Sequence, residues 1–144
     1  MSTRPHEVVA VYIDGASSGN PGPSGAGVVF LDGAGGITCQ LSKPLGVATN
    51  NLAEYLALLY ALEEARARGI TRLLVKTDSE LLAKQMAGAY RVREATLRLF
   101  HDLAKQMIRR FEQCDIQHVP RELNKQADRL ARHASKTQII ADRR

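Results

Sequence analysis

Val8-Val9-Ala10-Val11-Tyr12-Ile13-Asp14 is an unbroken apolar run that ends on a carboxylate. A short run of this kind, rich in β-branched residues, reads as a strand, and the absence of alternation means that both of its faces are covered. Residues 7–14 are therefore expected in the centre of a sheet. The stretch after it, Gly15 to Gly25, is dominated by Gly, Ser, Asn and Pro and reads as turn or loop. Ala26 to Leu31 is a second strand, Asp32-Gly33-Ala34-Gly35-Gly36 a hairpin turn, and Ile37 to Ser42 a third strand. The chain opens as an antiparallel meander.

Beyond the meander the period changes. Leu52, Tyr55, Leu56, Leu59, Leu62 and Ala65 recur at helical spacing, so a strongly amphipathic helix is expected from Asn50 or Asn51 to Arg68, stopped by Gly69. Leu73 to Thr77 is a fourth strand, and strand–helix–strand implies a parallel crossover. A short helix over Ser79 to Met86 closes at Gly88. A longer one spans Glu94 to Phe111, with Leu97, Phe100, Leu103, Ala104, Met107 and Ile108 inward. Asp115 to Val119 is a fifth strand, broken by Pro120, and a last helix runs from Leu123 to Ala134. Residues 135–144 read as a loose basic tail, with docking of Ile139 and Ile140 on the core left open. The fold class is α/β: three antiparallel strands, then parallel ones, in a mixed five-stranded sheet flanked by helices. One domain over 1–144, with its core at 7–134, accounts for the whole pattern.

Composition narrows the function classes. A net charge of +5 and a pI near 9.5 suit a polyanionic partner, and equally a soluble protein that happens to be basic. Cys39 and Cys114 lie in apolar runs and read as small hydrophobes rather than a disulfide, and no Cys/His cluster has zinc-site spacing. No segment has the length of a membrane span. Met1 to Glu7 lacks the apolar centre of a signal peptide, so a cytoplasmic, monomeric protein is expected.

Four acids occupy positions that carry chemistry: Asp14, Glu54, Asp78 and Asp128. Each has an ordinary reading when taken alone. Asp14 suits a turn at a strand end, Asp78 a helix cap, Glu54 the positive end of a helix dipole, and Asp128 a solvated helix face. Together they mean more. The first and fourth strands are neighbours in such a sheet, and two of the acids fall at their carboxyl ends, where α/β sheets build their sites. The start of one helix and the last helix can each lean a further acid toward the same point. Four carboxylates held together repel unless a cation neutralises them, and hard oxygen ligands suit Mg²⁺ or Mn²⁺. The Gly-rich stretch after Asp14 is neither a Walker loop, since no Gly-Lys-Ser/Thr ends it, nor a dinucleotide fingerprint, since it runs into a strand. Its backbone amides suit close approach to phosphate.

These residues resemble the motifs of the type 1 ribonuclease H family. The first motif is matched by Tyr12 to Ser17 with Gly19 to Gly27, and the second by Thr49 to Glu54. Thr77-Asp78-Ser79 matches the third, and His118 to Glu122 with Asn124 to Asp128 the fourth. The resemblance implies a ribonuclease H-like fold and an endonuclease that hydrolyses the RNA strand of RNA/DNA hybrids, leaving a 3′-hydroxyl and a 5′-phosphate. It implies that Asp14, Glu54, Asp78 and Asp128 bind two divalent metal ions about 4 Å apart. It also implies that Glu54 touches the ribose 2′-hydroxyl, the group that distinguishes RNA from DNA. Ala16, Ser17, Asn50 and Asn51 would line the minor groove of the hybrid. Asn20 and Thr49 would hold a phosphate of the DNA strand.

Two features depart from the family's pattern. Many members place a histidine in a flexible loop before the last acid. Here only Arg121 to Ala127 separates Pro120 from Asp128, so Arg121 or Glu122 is expected to take over part of that role. His118 reads as structural. Some bacterial members also grip substrate with a basic, Trp-bearing protrusion. This chain has no Trp and a short Ala87–Glu94 connection, leaving Arg91, Arg93 and Arg98 to supply electrostatic contact or simply a solvated face. This compact form also resembles members that cleave double-stranded RNA, so that activity stays open. A non-catalytic hybrid-binding module and a DNA-directed nuclease of the same fold are the alternatives. Asn20, Asn50 and Asn51 favour the hybrid-reading branch over the latter.

Overall fold

A computed structural model describes residues 7–142, with side chains described as far as residue 137. Its strands are β1 (Val9–Ser17), β2 (Gly22–Leu31), β3 (Ile37–Ala48), β4 (Arg72–Thr77) and β5 (Gln113–His118). Its helices are α1 (Asn50–Ala67), α2 (Glu80–Met86), α3 (Ala95–Ile108) and α4 (Lys125–Asp142), the last preceded by a 3-10 turn at Arg121–Leu123. The sheet order is β3-β2-β1-β4-β5. The first three strands pair antiparallel, and β4 and β5 join in parallel, which is the mixed five-stranded sheet expected.

Alternation along the strands sorts the two faces. Val11 and Ile13 of β1, Val28 and Phe30 of β2, and Leu73 and Val75 of β4 form one apolar cluster with Tyr55, Leu58, Ala61 and Leu62 of α1. α4 lies across β1, β2 and β3, and the intervening β2 positions face it. At Gly27 an added Cβ would stand 2.0 Å from the carbonyl oxygen of Ala127. Ala127, Ala131 and Ala134 are all buried, so helix and strand meet almost backbone to backbone.

Several elements differ from the sequence reading, each for a physical reason. The expected loop over 15–25 is mostly sheet: Gly15 pairs with Ala26, Ala16 with Gly25 and Ser17 with Ser24. The small residues there serve close packing of helices on strands, and only Ser18 to Pro21 lies between the two strands. α1 is less one-sided than expected. Its fully buried residues are Ala53, Tyr55, Ala57, Leu58, Ala61, Leu62 and Ala65, while Leu59 and Tyr60 are partly buried. Both the sheet and α3 pack on it, and its buried positions are not confined to a single stripe. Leu103 is 44% exposed rather than inward. The last helix starts later, at Lys125, and the expected loose tail is helical through Asp142. Ser135 anchors that extension, with its hydroxyl 2.7 Å from that of Ser18 and 3.1 Å from the carbonyl of Pro23. Ile139 and Ile140 lie outside the residues whose side chains are described. Cys39 and Cys114 are free and half-buried.

The β2–α4 contact predicts a specific cost. Gly27→Ala should destabilise the protein by about 2 kcal/mol, because the methyl group has nowhere to go but against helix backbone. Urea unfolding measures it, and a midpoint unchanged from wild type would show that α4 can retreat from the sheet at no cost.

Candidate active site

The parallel register pairs Ile13 with Thr77, so Asp14 and Asp78 each lie one step past that pair. Asp78 follows the end of β4, whereas Asp14 lies inside β1, paired with Gly27 of β2, and not at the strand end expected from sequence. Thr49 starts α1 by accepting the Leu52 N–H on its hydroxyl at 3.2 Å, which leaves Glu54 in the second turn. Gly15 lets that turn come down on β1: an added Cβ would lie 2.3 Å from the carbonyl carbon of Ala53. The Gly15 N–H then donates to Glu54 Oε1 at 2.5 Å. On the other face, the buried Asn124 donates its amide Nδ2 to the carbonyl of Ile13 at 2.8 Å. That bond pins the entry to α4 beside Asp14 and brings Asp128, one turn later, to the same place.

One carboxylate oxygen from each of Asp14, Glu54 and Asp78 lies within 4.8 Å of the others. Asp128 lies beside Asp14, close enough to help raise its carboxyl pKa, and its Oδ2 pairs with Arg132 Nη2 at 2.6 Å. Burial first, then the charges of Glu54 and Asp78, push the Asp14 carboxyl far above the usual carboxylate range. Burial and the charge of Asp78 raise Glu54 to about 8, against the opposing pull of the Gly15 amide and Arg121. A proton on Asp14 thus helps hold the acids together, the role that a divalent cation fills with more charge. The donors are all hard oxygens, so the residues fit Mg²⁺ or Mn²⁺ rather than a soft metal.

The acids lie in a cavity of about 560 Å³ whose lining also includes Ala16, Ser17, Asn50 and Arg121. Ser17 is fastened by its hydroxyl to the carbonyls of Gly19 and Ala48, tying the end of β1 to the approach to α1. A second groove, about 460 Å³, holds Asn20, Thr49 and Asn51. Asn20 Oδ1 accepts the Asn50 N–H at 2.9 Å, which leaves the amide NH₂ to donate elsewhere. Glu94 borders this groove too, but its two oxygens cap α3 by accepting from the amides of Thr96 and Leu97.

Of the residues singled out from sequence, the structure brings the four acids, Ala16, Ser17, Asn50 and Arg121 into one cavity, and Asn20, Thr49 and Asn51 into its neighbour. It does not bring Glu122, which lines a separate groove with Tyr12 and Ile37. His118 is exposed at the end of β5, paired with Thr77. Arg91, Arg93 and Arg98 are exposed and border neither cavity. Sequence reasoning missed Arg132, Ser135 and Lys136, which line the acid cavity from α4. The Asp128-to-Arg132 spacing of one helical turn was a usable signal, since both residues fall inside the helix expected to end at 134; Ser135 and Lys136 fall beyond it.

A family model described as Reverse transcriptase-like matches residues 12–134. The chain is 43% identical over 126 residues to the Ribonuclease HI of Halobacterium salinarum, a match covering 88% of this chain and 63% of that protein. The chain therefore spans less than two thirds of that relative's length. The crystal structure of RNase H1 from Halobacterium salinarum NRC-1 superposes with a TM-score of 0.88 at 41% identity, covering 91% of this chain and 99% of that one. The crystal structure of LC11-RNase H1 in complex with RNA/DNA hybrid superposes with a TM-score of 0.86 at 37% identity, covering 91% and 99%.

The crowded acids make stability depend on pH in a stated direction. The folded-state values of Asp14 and Glu54 exceed their unfolded ones, so the folded chain holds extra protons between the two. The resulting stability is complete below the unfolded carboxylate range and is lost as pH rises toward about 8, where Glu54 ionises. Without divalent metal, the melting temperature should fall as pH is raised from 5 to 9. Asp14→Asn should flatten the curve and raise the melting temperature of the metal-free protein at pH 8, because it removes the acid whose ionisation burial and its neighbours oppose most. A wild-type curve that rises over this range would contradict the buried, unneutralised acids.

Proposed function

The chain belongs to the type 1 ribonuclease H family, and from that premise we propose a divalent-metal-dependent endonuclease that hydrolyses the RNA strand of RNA/DNA hybrids. The observation that carries the proposal is the convergence of Asp14, Glu54 and Asp78 on one point, with Asp128 beside them, in a cavity open to a ligand. Similarity to a protein crystallised with an RNA/DNA hybrid supports the substrate class. No helix among the described residues is long and apolar enough to cross a membrane, and we take the enzyme to act as a cytoplasmic monomer.

In this reading Asp14, Glu54, Asp78 and Asp128 hold Mg²⁺ or Mn²⁺. Such ions, when bound, polarise the scissile phosphate and lower the pKa of an attacking water. The remaining work falls to the chain itself. Glu54, with one oxygen held by the Gly15 amide, keeps its other oxygen for a metal and for the ribose 2′-hydroxyl of the substrate. The strand end at Ala16 and Ser17 and the amide of Asn50 meet the minor groove of the hybrid. Asn51 and the pair Asn20–Thr49, in the adjoining groove, receive the DNA strand, with the Asn20 amide and the Thr49 hydroxyl on a phosphate. Arg121, close enough to Glu54 to hold its pKa down, faces the scissile phosphate as a fixed cation. Cleavage leaves a 5′-phosphate and a 3′-hydroxyl.

One labelled RNA strand, offered as a hybrid with DNA, as duplex RNA and alone, tests this reading with Mg²⁺ and with Mn²⁺. Wild type should cut the hybrid. Asp78→Asn should lose about 10³-fold in rate, as expected when several kcal/mol of transition-state stabilisation by a metal site is removed. An intact hybrid after exposure to metal-loaded wild type would exclude the nuclease. Equal cutting of plain duplex DNA would move the substrate class. Arg121→Ala should raise KM for the hybrid and reduce the slope of log affinity against log salt by about 1. An unchanged slope would remove Arg121 from the phosphate path.

A further inference from the structure

The four acids are not equivalent. Asp14, Glu54 and Asp78 form a tight triad, with ligand oxygens within 4.8 Å of one another, and Asp128 is not a member of it. Asp128 instead carries its own cation: Arg132 Nη2 stands 2.6 Å from Asp128 Oδ2, one helical turn along α4. No other acid of the group has an ion-pair partner within 4.0 Å among the described residues. The Arg132 side chain is 64% exposed, against 28% for Asp128, and both residues line the cavity that contains the triad. The guanidinium is therefore held by a weak, solvent-screened pair and can leave it at little cost. A phosphodiester entering the cavity offers that guanidinium a bidentate acceptor.

The geometry points to Arg132 as a gate on one of the two metal positions: it neutralises Asp128 in the free protein and exchanges Asp128 for a substrate phosphate when hybrid binds. The triad is then competent for one cation before substrate arrives. Asp128 is released more readily to a second as the phosphate draws Arg132 away. Hybrid and metal binding become coupled through this exchange, and the coupling is reciprocal. The second cation is thereby favoured when a phosphodiester occupies the cavity. The inference rests on the metal-site reading above and extends it to a residue outside the four acids.

The test uses Mn²⁺ alone as probe, with the full chain. The melting temperature of wild type, Arg132→Ala, Arg132→Lys and Arg129→Ala is followed against Mn²⁺ concentration without nucleic acid, and KM for hybrid is measured at saturating Mn²⁺. Arg129 is the control: it is exposed on the same helix, lies outside the cavity lining and carries the same charge. Arg132→Ala should shift the Mn²⁺ midpoint about two- to five-fold lower, the size of an exposed ion pair, and should raise KM for hybrid. Arg132→Lys should return both values part of the way to wild type. A purely structural role for Arg132 would weaken metal and hybrid binding together and overturn the gate. So would an Arg129→Ala shift equal to that of Arg132→Ala, since only the general field would then be at work. Wild type that responds to Mn²⁺ alongside an Arg132→Ala midpoint identical to it overturns the gate alone. Wild type whose melting ignores Mn²⁺ overturns the metal site, and the gate with it.

Discussion

At two glycines the β1–β2 ladder meets, backbone to backbone, the helices that deliver Glu54 and Asp128 to it. Gly15 under α1 and Gly27 under α4 each lie where a Cβ would overlap helix backbone. These contacts bring two helices from opposite faces of the sheet onto neighbouring rungs of the same pair of strands. The rest of the site follows. Asp14 lies between the two contacts, on the α4 face of β1, with Gly15 next to it on the α1 face. The Asn124 bond to the Ile13 carbonyl and the Thr49 cap on α1 then fix where along each helix the acid falls.

Close seating has an electrostatic consequence. Carboxylates that would keep apart in water are forced within a few ångströms of one another, and Asp14 is almost fully buried as well. Burial and mutual repulsion raise the affinity of Asp14 and Glu54 for protons, and the same forces raise it for a doubly charged cation. Packing of an apolar core thus does work at the site: the energy that seats α1 and α4 offsets the cost of gathering negative charge. A strained, charge-rich site set in a well-packed scaffold is a common arrangement for a binding or catalytic centre.

Around the acids the chain arranges cations and neutral donors in different places. Arg121, Arg132 and Lys136 share the acid cavity, so negative and positive groups face the same opening. Asn20, Thr49 and Asn51 share the next groove and carry no net charge. A duplex lying across both would meet the carboxylate cluster with one strand and hydrogen-bond donors with the other. That asymmetry suits a ligand whose two strands differ chemically. The extension of α4, tied by Ser135 to Ser18 and Pro23, keeps the basic side of the cavity in register with β1 and β2.

The sequence by itself determined the sheet and the four acids. Apolar runs and helical spacing are local properties, so the strands, the crossover and the three antiparallel partners were legible from Val8 to Thr77. The acids were legible only as a set: each alone suits a turn, a cap, a helix dipole or a solvated face, and their order with the flanking motif residues singled them out. Tertiary structure decided what the small residues were for. Gly15 to Gly25 has the composition of a loop, and only the helices packed on it explain why glycines persist in a paired strand. It also decided the length of α4, which runs past its expected end and brings Ser135 and Lys136 to the cavity. Glu122 and Arg121 are neighbours in sequence, yet they face different grooves. The direction in which a side chain leaves a 3-10 turn depends on what the turn packs against, and no local pattern encodes that.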